Sequence, residues 1–166
     1  MKEQGVVCSS EDKMDLEHKA AEFSVGIKLL DCDHREQFET IAGIQELIAG
    51  DFDRKRVAVL LRKLAAFTLS HFAMEEGMMI ATNYPGLIRH SLQHQRMSVH
   101  LSELASSIGS GALPVSPNSL KLLPQWHLAH VRNEDLAYGE WLKYSSMIDP
   151  QLLRKTGQSE EKIHQA

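Results

Sequence analysis

Cysteine is scarce in this chain: its 166 residues hold two, Cys8 and Cys32, at unrelated positions. They form neither a CxxC pair nor a disulfide framework, which excludes thiolate zinc and iron–sulfur sites and fits a reducing compartment. Positive charge is not in excess either. Lysine and arginine number 18 against 22 aspartates and glutamates, a formal net charge of -4, and with no basic stripe this argues against a nucleic-acid partner. Long apolar runs are also missing. The first twenty residues lack a signal-peptide core, and no later stretch approaches the ~20 apolar residues of a membrane span. The expectation is a cytoplasmic protein with no membrane insertion. No internal repeat is present.

What the chain does have is the composition of a globular domain, 43% hydrophobic and 24% charged, and enough length for one core. Residues 1–22 read as a polar N-terminal arm, leading to the short FSVGI stretch at 23–27. Four helical patterns follow. In the first, Asp31 is a plausible N-cap, and His34, Phe38, Ile41 and Ile48 share a stripe until GDFD at 50–53. The second places Val57, Leu60, Leu64, Thr68, His71, Glu75 and Met78 in steps of three and four, and TNYPG at 82–86 ends it. The third is the most regular: Leu87, His90, His94, Met97, Leu101, Leu104 and Ile108. After a linker at 109–119, Ser116–Pro117 looks like a helix start, and Leu123, Trp126, His130, Ala137 and Trp141 share a face. Residues 146–166 form a C-terminal tail. The prediction is an all-α fold, an antiparallel up-down-up-down four-helix bundle over 23–145, with its cofactor site in the core.

Histidine is where this pattern becomes chemistry. Each of the four helices puts at least one histidine where leucine would be expected: His34, His71 with Glu75, His90 with His94, and His130. Residues four apart differ by about 40° in direction, so each such pair can reach one centre. One HxxxE match is weak evidence, since a chain with nine histidines would show roughly one by chance. Convergence is stronger. Buried imidazoles and carboxylates without partners cost several kcal/mol each, roughly, and a pair of metal ions would compensate them. Nitrogen and carboxylate oxygen in this proportion suit borderline-hard ions, iron foremost. On the fourth helix, spacing alone prefers Glu134, four residues after His130. Asp135 would point about 140° away on an ideal helix.

Taken in order, FSVGI, DCDH at 31–34, HFAMEE at 71–76, YPGLIRHSLQH at 84–94 and WHLAHVRNED at 126–135 resemble the hemerythrin family, the bacterial single-domain hemerythrins in particular. The resemblance covers about two thirds of the chain. It implies a histidine followed five residues later by an aspartate, and so selects Asp135 over Glu134. It further implies that His90, His94 and His130 bind one iron and His34 and His71 the other. Glu75 and Asp135 would bridge the two ions (Fe2+/Fe3+) with an oxo or hydroxo group, and the second iron would keep a position open for dioxygen. The activity implied is reversible dioxygen binding for storage, delivery or sensing, by a protein that is not an enzyme.

The chain departs from the family at Trp126-His127, where hemerythrins read tryptophan-leucine. Three residues before His130, His127 would share its face and could point toward the open position, or instead sit at a helix interface. Phe72, Trp126 and Val131 are the other candidates for the dioxygen pocket. Two further readings stand beside the carrier: a redox or nitric oxide sensor acting through a protein partner the sequence does not name, and a di-iron oxidase or peroxidase assisted by His127. His18, His100 and His164 fall off the stripe and read as solvated.

Overall fold

A computed structural model describes residues 24–50, 52–110, 120–149 and 151. The expected arm, most of the tail and the Ser116–Pro117 helix start lie outside them. The described residues form four helical rods and no strand: α1 (Lys28–Ala49), α2 (Arg54–Thr82), α3 (Leu87–Ser110), and a composite fourth rod. That rod comprises α4 (Leu123–His130), a single π turn (Val131–Asp135) and α5 (Leu136–Ile148). Short connections at 50–53 and 83–86 force α1, α2 and α3 to run antiparallel, as the sequence predicts.

Local chemistry sets the ends. Asp53 caps α2, its carboxylate accepting from the backbone N–H groups of Lys55 at 2.9 Å and Arg56 at 3.2 Å. Asn83 closes the same helix in the left-handed conformation, with φ 56°, and its N–H donates to the Ile80 carbonyl. Asp31 is not the N-cap of α1, because the helix starts three residues earlier, at Lys28. Its carboxylate instead reaches back out of the first turn, accepting from Val25 N–H at 2.7 Å and Ser24 Oγ–H at 2.8 Å. This fixes the strap at 24–27, whose Val25 and Ile27 are buried. A Cβ on Gly139 would overlap the Val25 carbonyl oxygen, so glycine is what lets α5 meet the strap.

Two apolar clusters form the core. One joins Ile41, Ile44, Leu61, Leu64, Leu101, Leu104, Ile108, Leu120 and Leu123. The other joins Val25, Ile27, Leu30, Met79, Val131, Tyr138 and Leu142. Most of the expected stripes are the buried ones, and α3 matches from His90 to Ile108. On α1 the buried face also takes in Gln37, Thr40 and Ile44, while Phe38 and Ile48 lie at its edge. On the fourth rod the face slips by one residue: Tyr138 and Leu142 are buried where Ala137 and Trp141 were expected. The π turn causes this, since it inserts one residue and advances every later side chain.

Helix α2 is long and apolar enough, by length and composition alone, to cross a membrane, against the expectation of no such stretch. Its apolar residues Val57, Leu61, Leu64 and Met79 are packed in the core clusters, and the same helix buries His71 and Glu75. One face of it is packed in the core of the bundle, and a core helix passes the same test as a span.

Candidate metal centre

All seven sequence-predicted residues converge between the two apolar clusters. Their donor atoms form two groups: Glu75, His90, His94, His130 and Asp135 in one, His34, His71 and Asp135 in the other, each within 4.8 Å. Every member is buried, none more than 6% exposed. Three imidazole nitrogens of the larger group face one another, His94 Nε2 lying 3.0 Å from both His90 Nε2 and His130 Nε2. The Asp135 carboxylate spans the groups: Oδ1 is 3.0 Å from His90 Nε2 and from His130 Nε2, and Oδ2 is 3.1 Å from His34 Nε2. Glu75 Oε2 sits 3.2 Å from His94 Nε2 and 3.5 Å from His90 Nε2, with His71 Nε2 at 3.9 Å.

The π turn decides between Asp135 and Glu134. An inserted residue makes five positions span what four span in an α-helix, so Asp135 falls beneath His130. Glu134 is also buried but joins neither donor group, and its Oε2 forms an ion pair with Arg89 Nη2 at 2.9 Å. The ideal-helix preference for Glu134 is thereby corrected; Asp135 is the carboxylate in the cluster.

The electrostatics describe a site under tension. Burial and the charge of Asp135 push the Glu75 carboxyl up, but the close approach of His90 and His94 outweighs them and leaves it lowered. Asp135 is pushed up by burial and pulled well below the carboxylate range by His130, His34 and His90. Burial lowers His90, yet Asp135 and Glu75 hold it up at about 9. Despite these short approaches, both oxygens of Glu75 and of Asp135 lack a hydrogen bond of proper geometry, as does His34 Nε2. The donors crowd around common points rather than onto one another. Such orphaned, fully buried N and O donors fit metal ions, and no thiol joins them; Cys32 is exposed.

Two residues that sequence reasoning passed over brace this set. Asp33 Oδ2 lies 3.1 Å from His71 Nδ1, and Glu76 Oε1 lies 2.8 Å from His94 Nδ1. Each accepts from the imidazole nitrogen facing away from the cluster and so turns Nε2 inward as a lone pair. The signal was present, since each carboxylate directly precedes or follows a cluster residue, in DCDH and MEEG.

The expected pocket residues divide. Phe72 stacks on His94, with ring centroids 3.7 Å apart at 9°. His127 is buried, its Nε2–H donating to Gln37 Oε1, with Phe38 edge-on at 5.2 Å. Burial, then the nearby His34 and His130, lowers its pKa to about 3, so it is neutral. Trp126 does not wall the cluster: it is half-buried against the apolar cluster of Ile41, Leu61 and Leu123, edge-on to His100 at 5.2 Å. Val131 packs in the other apolar cluster, with Leu30 and Tyr138. His100 is exposed but carries that ring contact; His18 and His164 lie outside the described residues.

Comparison with known proteins agrees with this geometry. The family profile described as "Hemerythrin HHE cation binding domain" matches residues 25–142. A bacteriohemerythrin of Pseudomonas aeruginosa is 27% identical over 124 residues, covering 75% of this chain and 80% of that protein. A myohemerythrin of Riftia pachyptila is 31% identical over 116 residues, covering 70% and 85%. Among solved structures, wild-type hemerythrin superposes with a TM-score of 0.67 at 22% identity, covering 73% of this chain and 92% of that one. The profile match spans most of the chain and includes all seven converging residues, and on that ground the chain belongs to the hemerythrin family.

Proposed function

We propose that the seven residues hold two iron ions and that the pair binds dioxygen reversibly, for storage, delivery or sensing. The observation that carries this reading is the division of the donors into a group of five and a group of three sharing Asp135. Five protein donors leave little room at the first centre. Three leave the second open to a small ligand. The iron pair, with an oxo or hydroxo bridge, supplies the electrons and the open coordination position; the chain's residues supply everything else. His71 and His94 are held inward by Asp33 and Glu76. Phe72 stacks on His94 and holds its ring in place on the five-donor side. The buried carboxylates balance the charge of the ions.

The reading carries a cytoplasmic setting, supported by the cysteine usage, and a protein that is no enzyme. A second reading, a di-iron oxidase or peroxidase, is favoured by one observation: the polar His127–Gln37 pair beside the cluster. Nitric oxide sensing through a protein partner remains the third use of the same centre. The test is anaerobic reduction of the iron-loaded protein, exposure to dioxygen and then vacuum, with the visible spectrum recorded. A coloured adduct that vacuum removes is expected of a carrier. Immediate, irreversible conversion to the oxidised centre would overturn that reading in favour of an oxidase or sensor.

A further inference from the structure

A bundle core one turn beyond a metal layer is ordinarily apolar; here it is not. Gln37 lies three residues after His34 on α1, Thr68 three before His71 on α2, and His127 three before His130 on α4. Because α1 runs opposite to α2 and α4, all three steps lead toward the same end of the bundle, about 4.5 Å along the axis. On α3 the corresponding residue is Met97, which is buried. Gln37 and His127 are 1% exposed and Thr68 is 0% exposed. One polar atom on each has no hydrogen-bond partner: Gln37 Nε2, Thr68 Oγ1 and His127 Nδ1. Leaving three such groups bare in a core costs about 1–3 kcal/mol each. Together they would use a large share of a domain's stability, so the layer calls for a partner that both donates and accepts.

The roles of the three atoms follow from the orientation of the Gln37 amide, whose oxygen faces His127. Gln37 Oε1 accepts from His127 Nε2–H, so His127 Nδ1 carries a lone pair and can only accept. Gln37 Nε2–H can only donate, and the Thr68 hydroxyl can do either. Two of the three stand one turn from His34 and His71, the histidines of the three-donor group.

We infer that Gln37, Thr68 and His127 form a binding layer for a small protic ligand, of the class of hydrogen peroxide, set against the three-donor centre. Such a ligand donates to His127 Nδ1 and accepts from Gln37 Nε2–H. Azide, which brings no proton, can accept from Gln37 and Thr68 but leaves His127 Nδ1 without a donor. The inference rests on the reading of the cluster as a two-iron centre, and it names the specificity of the open position.

The test compares hydrogen peroxide with azide as ligands of the oxidised, iron-loaded protein, followed by rapid-mixing absorbance. His127→Leu is expected to weaken peroxide binding by about tenfold and azide binding by less than about twofold, the loss of one hydrogen bond. Thr68→Val, which keeps the side chain's shape, is expected to weaken peroxide by about threefold. Equal weakening of both probes, or of neither, by His127→Leu overturns the proposal. A second arm needs no iron: nitrogen NMR of the metal-free protein should find His127 as the Nε2–H tautomer, and Gln37→Leu should remove that preference. The Nδ1–H tautomer overturns the layer whatever the iron content. Fewer than about two irons per chain with the expected tautomer overturns the two-iron reading and leaves the layer standing.

Discussion

The two halves of the cluster are built from the same residue types and are not equivalent. Around the larger group, five donors from α2, α3 and the fourth rod close on one point, and Phe72 lies flat on His94. Around the smaller, His34 and His71 supply one nitrogen each and borrow Asp135 from the other side. Beyond the larger group the chain offers stacking and ion pairs. Beside the smaller it offers Gln37, Thr68 and His127, buried and short of partners. The difference teaches that one group gathers a nearly complete donor set and the other does not, and that the sparser side is where the neighbouring side chains differ from a plain hydrophobic core.

The sharpest way to break this contrast is at the shared residue. Asp135→Ala should empty both centres, whereas His34→Ala should empty only the smaller, lowering iron from about two per chain to about one. Elemental analysis of the purified variants reads the difference; equal loss in both would mean that the centres are not separable.

The bracing carboxylates sharpen it next. Asp33→Asn should weaken metal binding at the three-donor centre and Glu76→Gln at the five-donor centre, each by about 10- to 100-fold. Competition with a chelator, monitored at the two spectroscopically distinct ions, would show whether each effect stays on its own side.

Protons report on the metal-free cluster. His90 is held up at about 9, so the stability it contributes is complete below its ordinary pKa and is lost as pH rises through about 9. Asp135 and Glu75 are lowered, so theirs is present above the ordinary carboxylate range and lost as pH falls through their depressed values. Denaturant melts of the metal-free protein should therefore weaken, by on the order of a few kcal/mol in all, as pH rises from about 6.5 to about 9. His90→Leu should abolish that alkaline loss, and its persistence would locate the titration elsewhere.

The smallest effect is a control far from both centres. Asp53→Ala removes the α2 cap and should cost about 1 kcal/mol of stability with no change in iron content. Loss of iron in that variant would mean that metal binding follows global stability rather than the local donors.

Much of this was legible from spacing because helices repeat. The stripe of α3 could be read residue by residue, since nothing interrupts its 3.6-residue period between His90 and Ile108. The fourth rod could not. A π turn has no composition signal in VRNED, so an ideal helix pointed Glu134 inward and missed the shift to Tyr138 and Leu142; only the family resemblance carried the five-residue step. Gln37 escaped for a different reason. A polar residue on a stripe is read as its edge, and its burial became visible only once His127 was seen opposite it across the α1–α4 interface. Trp126 was placed by its neighbours in sequence, and the same helix turned it to His100 instead.

Diffraction from the iron-loaded protein at the iron absorption edge tests the central claim most directly. The account predicts two anomalous peaks. One would be bonded to His90, His94 and His130, the other to His34 and His71, with Asp135 reaching both. A single peak, or a second ion held by Glu134 in place of Asp135, would contradict it.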